Sequence, residues 1–402
     1  MANNLDAARP EYWSKRMQAT KRKVLVSSEF ANFEEQSNLT NWVKVHRPYF
    51  SRAKVRDYVR GTDTSAQDRT VTDEYLTIDQ QKEITTYIDK LDEIQSNYNF
   101  VNTLVDDDAY QLAAEQDGRF FREIINASYS FDDWDIGWTS WTPITLTTSN
   151  VVQVFSKLAA KFRTNNIEKS RPWKIALTPN VASVIEQSFV KNGFSTADST
   201  LKNGYAGDYM GFACYISNNV THQVKLTNSG QPSDADTVTL TATDLEWTAV
   251  SVVFTFKTVL WATAGNVLIW GTASESYDNL VAAINGGSGA WTTYVALSTA
   301  NRDALNNVGF YAVKDSATVV SVYSYGQQTV AESTANMTAS SSISVLYASR
   351  EWATDMVTQA NVQVQQNKEP KKLGYSYITY DLYGLKTFAE WTKRMVKVNI
   401  YA

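Results

Sequence analysis

The sequence predicts an α+β protein, and three observations lead there. Hydrophobic residues alternate in residues 42–88 and then recur every three or four positions in 101–124, so strands precede a long helix. From 151 to 216, amphipathic stretches alternate with short apolar runs, as in an α/β core. Charge then thins abruptly: residues 222–340 hold 4 basic and 9 acidic side chains, while the remaining 283 residues hold 33 of each. A shift of that size marks an inserted segment with its own core. With 402 residues, 43% hydrophobic and 20% charged, the chain is globular in composition and long enough for two or three domains.

The elements follow in order. Residues 1–40 read as an arm, with basic clusters (Lys15, Arg16; Lys21, Arg22, Lys23) and scattered aromatics (Tyr12, Trp13, Phe30, Phe33). Such an arm orders by docking on something else. Residues 41–90 read as a long hairpin. Trp42-Val-Lys-Val-His-Arg-Pro48 is one limb, 75–79 and 84–88 return, and a polar tip spans 60–68. A two-stranded hairpin with few core residues is marginal alone and needs a partner surface. Residues 91–150 hold a spine helix whose face is Val101, Val105, Ala109, Leu112, Gln116, Phe120 and Ile124. Asp106, Asp107 and Asp108 are expected in its first turns, complementing the dipole.

The α/β core begins at 151–221. Helices are expected over 151–162 and 179–190, the second led by Pro179, with strands at 173–177 and 212–216. In 222–340, strands are expected at 237–243, 250–256, 267–270 and 313–325, and helices at 278–285 and 301–307. Trp247, Trp261, Trp270 and Trp291 are expected mostly to build that segment's core. Residues 341–402 complete the core, with a strand at 345–347, a short helix at 351–357, and strands at 375–382 and 395–401.

Composition excludes several chemistries. Cys214 is the single cysteine, and His46 and His222 are the two histidines, so disulfide frameworks, multi-His metal centres, zinc ribbons and haem attachment are excluded. The two histidines lie far apart in the chain, and neither has an evident acidic orienter for a triad. Asp132, Asp133 and Asp135 beside Trp134, Trp138 and Trp141 could form a glycosidase-like or calcium-binding cluster, but a structural loop is the simpler reading. Gly286-Gly-Ser-Gly289 follows a helix and lacks a Lys-Ser/Thr, so it reads as a C-cap and turn. No cofactor and no catalytic residue is expected.

A net charge of −5 lacks the footprint of a free nucleic-acid binder. No secretory signal or membrane span is read, so a soluble protein made in a reducing cytoplasm is expected. The first sixty residues do carry 12 basic against 6 acidic side chains. These could meet nucleic acid or an acidic partner, or form a solvated face. Lys368-Glu-Pro-Lys-Lys372, with Lys371, is a second small basic loop. A chain that spends its sequence on an arm, a hairpin and a spine is built to touch copies of itself.

That succession resembles the major capsid proteins of tailed bacteriophages, which have the Hong Kong 97-type fold. The likeness rests on Trp42 to Pro48 as entry to the extended loop, and on Tyr75-Leu-Thr-Ile-Asp79 through Ile88-Asp-Lys-Leu-Asp-Glu-Ile-Gln95 as its return. Residues 109–124 resemble the spine helix. Arg171-Pro-Trp-Lys-Ile-Ala-Leu-Thr-Pro179 and Gly207-Asp-Tyr-Met-Gly-Phe-Ala-Cys-Tyr-Ile-Ser-Asn-Asn-Val220 resemble parts of the axial domain. Leu373-Gly-Tyr375, Tyr383-Gly-Leu385 and the run to Val398 resemble the peripheral loop and closing strands. Gly265 to Ile269 and Asn279 to Asn285 more weakly resemble modules inserted in other phage virion proteins.

The resemblance implies an arm (1–40), an extended loop (41–90), a peripheral domain with spine helix (91–150), an axial domain (151–221 and 341–402, the latter with the peripheral loop) and an inserted domain (222–340). It implies a non-enzymatic virion protein made in the host cytoplasm. Copies would form pentamers and hexamers that tile an icosahedral head around double-stranded DNA, contacted non-specifically. Expected partners are a separate scaffolding protein, a portal protein and a candidate cement or decoration protein. Inter-subunit contacts are expected at Lys21, Arg22, Lys23, Lys54, Arg60, Gly61, Asp63, Lys368, Lys371 and Lys372. Self-crosslinking members join a loop Lys to a neighbour's Asn. Lys54 finds no specific match to that pattern, and no crosslink is expected. The net charge of −5 on residues 222–340 suits a solvated outer face that stabilises or decorates the shell, because a DNA-facing surface would favour positive charge. An encapsulin-like compartment and a carbohydrate-binding or adhesin-like protein are the alternatives.

Overall fold

Backbone hydrogen bonds must be satisfied wherever chain is buried, and here large sheets satisfy most of them. The computed structural model describes residues 25–37, 43–64, 66–91, 100–138, 140–191, 205–243, 248–333, 336–368 and 372–401. Helix α1 (Ser27–Phe30) is followed by β1 (Lys44–His46), β2 (Tyr49–Phe50), β3 (Val71–Thr72), β4 (Tyr75–Thr77) and β5 (Gln80–Asp89). Then come α2 (Phe100–Arg122), β6 (Tyr129–Phe131), α3 (Val151–Thr164), β7 (Trp173–Leu177), α4 (Pro179–Lys191), β8 (Tyr205–Tyr209) and β9 (Phe212–Ile216). The next segment has β10 (His222–Asn228), β11 (Thr237–Thr243), β12 (Ala249–Lys257), β13 (Asn266–Leu268), α5 (Ala273–Asn285), α6 (Thr299–Val308), β14 (Tyr311–Ser316), β15 (Val319–Ser324), β16 (Gln328–Glu332) and β17 (Met337–Ala339). The chain closes with β18 (Ile343–Arg350), β19 (Asp355–Lys368), β20 (Gly374–Lys386), α7 (Ala389–Thr392) and β21 (Met395–Tyr401).

A ten-stranded mixed sheet runs β14-β15-β10-β18-β7-β9-β8, with β17 also on β10 and β21 and β6 beyond β18. All five residues of β7 are buried, because it lies between β18 and the parallel β9. Helix α3 lays Val151, Val154, Phe155, Leu158 and Phe162 on this sheet at helical spacing. Phe162 meets Trp173 and Phe212 with ring centroids 5.1 Å apart in each case. Residues 222–340 contribute to the same sheet through β10, whose His222 and Gln223 pair with Ser344 and Ile343 of β18. They also build a separate buried cluster, in which Tyr277, Leu280 and Ile284 of α5 pack with Val238, Leu240, Val252, Phe254 and Phe256. That cluster includes the four-stranded sheet β13-β12-β11-β16.

The structure corrects several expectations. Residues 84–88 do not return within the hairpin; β5 pairs with β20, from Gln80 opposite Tyr383 to Asp89 opposite Gly374. The hairpin limbs pair separately, β1 with β4 and β2 with β3. Residues 313–325 are not one strand but the hairpin β14–β15, broken by a turn at 317–318. Residues 351–357 are not helical. Trp352 is left-handed at φ 65°, which a helix cannot hold, and β19 starts at Asp355. Asp106 to Asp108 do not lie in the first turn of α2, which has no acidic residue; Asp108 is instead buried and accepts from Thr379 Oγ1 at 3.3 Å. Trp261, Trp270 and Trp291 are 70%, 55% and 66% exposed and take no part in the core. Trp247 lies outside the described residues. Strands β8, β10, β16, β17 and most of β19 lie outside the strands expected from the sequence.

Candidate interaction surfaces

Residues 51–70 extend from the body between β2 and β3 with no strand of their own. Side-chain bonds from Gln67, Ser51 and Arg69 hold the ribbon together: Gln67 accepts from the Lys54 N–H at 3.0 Å and donates to the Lys54 carbonyl at 2.6 Å, Ser51 Oγ accepts from the Thr70 N–H at 3.0 Å, and the Ser51 carbonyl accepts from Arg69 Nε at 3.0 Å. Its tip turns at Gly61, where φ is 86° and a side chain would be strained. Arg60, Gly61 and Asp63 are exposed there. So are Val55, Tyr58 and Val59, with Val55 at 101%. Apolar side chains on a thin ribbon gain nothing from their own fold, which makes the ribbon a candidate contact surface.

The hairpin's foot is tied down firmly. Arg47 Nη2 lies 2.7 Å from Glu35, and its Nη1 lies 3.0 Å from Asp355. The same guanidinium sits over the Trp391 ring at 4.6 Å. Asn32 Nδ2 donates to Asp355 at 2.7 Å, so the segment after α1 is bound to the start of β19. Burial pushes the Asp355 carboxyl up to about 6, against the pull of Arg47 and Asn32.

The segment at 25–30 docks on α2 through Asp117. This buried carboxylate accepts from the N–H groups of Val26 (2.9 Å) and Ser27 (2.7 Å) and from Asn219 Nδ2 (2.9 Å). Burial raises its pKa, although these bonds oppose the rise. Phe30 then packs edge-on against Phe121, Tyr215 and Tyr347. Lys174, on the central strand β7, bonds the Glu29 carbonyl and reaches Glu351 at 2.9 Å. Asp117 precedes Phe120 and Phe121 by three and four positions and so shares their buried face; the face expected from the sequence passes through Gln116 and misses it.

The expected contact residues do not converge. Lys54, Arg60, Gly61 and Asp63 lie on the hairpin, while exposed Lys368 and Lys372 lie where β19 joins β20. The hairpin's foot and that loop are at opposite ends of the ten-residue β5, about 30 Å apart at strand rise. Lys372 Nζ rests over the Tyr87 ring at 4.7 Å. Lys21, Arg22, Lys23 and Lys371 lie outside the described residues.

The acidic Trp-rich loop is structural. Asp132 and Asp135 form a capping box on a 3₁₀ turn at Asp133–Ile136. Asp135 pairs with Lys161 at 2.6 Å. Burial works against the charge of Asp133, yet bonds from Ser140 and Thr142 hold its carboxyl below the usual range. The brace presents Trp134 and Trp141 as an exposed stack, with centroids 5.0 Å apart and rings 12° from parallel. His46 does have an acidic neighbour, Asp73, at 2.7 Å; the sequence hid it because 27 positions separate them. Both side chains are exposed on the hairpin foot, and His222 is buried on β10. Gly286 caps α5 in the left-handed region, with φ 66°. Among the described residues no His, Cys, Asp or Glu cluster is placed to hold a metal ion, and no helix is long and apolar enough to cross a membrane.

No protein-family model matches the chain, and no curated protein matches it. Solved structures do. A chain of Mycobacterium phage Che8 superposes with a TM-score of 0.55 at 14% identity, over 97% of this chain and 96% of that one. A chain from the capsid structure of the cyanophage P-SCSP1u superposes with a TM-score of 0.52 at 9% identity, over 100% of this chain and 95% of that one. The fold is shared across essentially the whole length of all three chains.

Proposed function

We propose that this chain, which has the fold of phage capsid proteins, is the major capsid protein of a tailed bacteriophage. The observation that carries the reading is the whole-length match to a chain of a phage capsid structure. The exposed hairpin supports it, since its apolar side chains find their use only against another subunit.

In this reading the fold is of the Hong Kong 97 type. Residues 1–40 are the arm, 41–90 the extended loop, 91–150 the peripheral domain, 151–221 and 341–402 the axial domain, and 222–340 an inserted domain. Copies assemble through pentamers and hexamers into an icosahedral shell around double-stranded DNA. The extended loop lies over a neighbouring subunit, with Lys54, Arg60, Gly61 and Asp63 in the contact, and Lys21, Arg22, Lys23, Lys368, Lys371 and Lys372 serve other contacts. A separate scaffolding protein directs assembly in the host cytoplasm, a portal protein is a further partner, and a cement or decoration protein is a candidate one. The chain's role is structural, with no catalytic step.

The test is electron microscopy of the purified chain at high concentration. Shells, tubes or capsomer rings are the expected outcome. A strict monomer that binds glycans would overturn the reading in favour of a carbohydrate-binding protein. Shells loaded with cargo protein in place of DNA would move it to a cellular compartment of the same fold.

A further inference from the structure

Beside the hairpin foot a cleft of about 570 Å³ opens between the turn after α3, the end of β18 and the residues following α7. Its charged walls are Arg52, Arg350, Lys393 and Arg394 against Glu168 and Glu390. Glu390 is occupied: Lys393 lies 2.6 Å from it and Arg52 lies 3.7 Å away. Arg350 reaches Glu168 only at 3.9 Å, and its buried Nε has no hydrogen-bond partner among the described residues. Arg394 is half-buried, rests on the Trp391 ring at 5.0 Å, and has no ion pair among the described residues. Arg47 also lies over Trp391, but Asp355 and Glu35 answer its charge.

Burial first and then the charge of Arg350 hold the Arg394 guanidinium below its ordinary range, although Glu168 and Glu390 oppose the fall. Two like charges held close in a half-dry cleft repel unless an anion joins them. We propose that this cleft is a socket for carboxylate side chains of a second copy of the chain. The inference rests on the reading that copies assemble.

The geometry favours carboxylates over a nucleic-acid backbone. Two underused guanidiniums match one or two carboxylates, each held by paired N–H donors. Glu168 and Glu390 in the walls would repel a continuous run of phosphates. With 42 acidic against 37 basic residues, a second copy offers carboxylates in surplus.

The test uses the full chain with Arg394→Gln, Arg394→Lys and, as a control, Arg163→Gln on the exposed side of α3. Sedimentation gives the concentration at which assemblies form, and thermal melting reports the isolated fold. For Arg394→Gln the melting temperature is expected to be no lower than the parent's, while the assembly concentration rises about tenfold or more. Arg394→Lys should recover part of the loss, and Arg163→Gln should match the parent. Assembly of Arg394→Gln at the parent's concentration overturns the inference and leaves the capsid reading standing. So does a variant that assembles normally but loses retention of a DNA duplex. A parent chain that stays monomeric at every concentration overturns the inference and leaves the capsid reading to assembly with the scaffolding protein.

Discussion

Asp117 is the residue on which the most separate pieces of chain depend. It holds two N–H groups of the 25–30 segment and the amide of Asn219 on one buried carboxylate. Asp117→Ala strands those donors, and each buried orphan costs about 1–3 kcal/mol. A loss of at least about 3 kcal/mol is therefore expected in denaturant melts, with faster amide exchange at Val26 and Ser27. Unchanged exchange there would sink the assignment. Asp355 and Asp381 carry a pH prediction. Burial lifts each from 3.8 to about 6; Arg47 and Asn32 oppose it at Asp355, and Gln116 opposes it at Asp381. A raised carboxyl pKa means the fold binds the proton more tightly than the unfolded chain does. Its stabilisation is complete below about pH 4 and is lost as pH rises through about 6. Relative to Asp355→Asn or Asp381→Asn, the parent should lose up to about 3 kcal/mol between pH 4 and pH 7. Urea melts at both pH values measure this, and a pH-independent difference would contradict it. Arg47 is not orphaned in Asp355→Asn, because Glu35 still holds it.

At the scale of elements, α2 is fastened to the segment 309–325 by a close approach. A Cβ on Gly118 would lie 2.6 Å from the Tyr325 ring, which is itself buried against Gly309 at the end of α6. Arg122 adds a stack on Tyr311 at 4.7 Å. Gly118→Ala gains about 1 kcal/mol of helix propensity. Overpacking a buried ring costs about 1–3 kcal/mol, so the net effect should be destabilising, as chemical denaturation would show. A stabilised variant would mean that the ring moves freely. Helix α5 starts with a capping box, in which Thr272 Oγ1 accepts from the Glu275 N–H and Glu275 accepts from the Thr272 N–H. Thr272→Ala is expected to cost about 1 kcal/mol in the same measurement. These elements were legible in the sequence, except that α5 begins at Ala273, five residues before the 278 expected. Helix α3, strand β7, Pro179 at the head of α4 and Gly286 past α5 all declare themselves by local period or backbone preference.

For the whole molecule, the hairpin should be dispensable for folding and indispensable for assembly. Replacing residues 54–67 by a short Gly-Ser turn removes Val55, Tyr58 and Val59, none of which is buried in its own chain. The melting temperature is expected to stay within about 2 °C, while shells disappear under the microscope. Shells that persist would show that the extended loop does not clasp a neighbour. That strands precede a long helix and that an α/β core follows could be read from residue order, because period and turn residues report local burial. The pairings could not. β10 meets β15, β17 and β18 at once, and β5 leaves its hairpin for β20. Backbone ladders are nearly indifferent to side-chain identity, so several partners suit one strand until the whole sheet closes. The same holds for the surfaces. Trp261, Trp270 and Trp291 look like core residues in one dimension and face solvent in three. Arg350 and Arg394 are 44 positions apart and share a cleft only because β18 pairs with β21 and turns their ends together. Local chemistry chose the elements; long-range register, which costs chain entropy and is settled only by packing, chose what they present to other molecules.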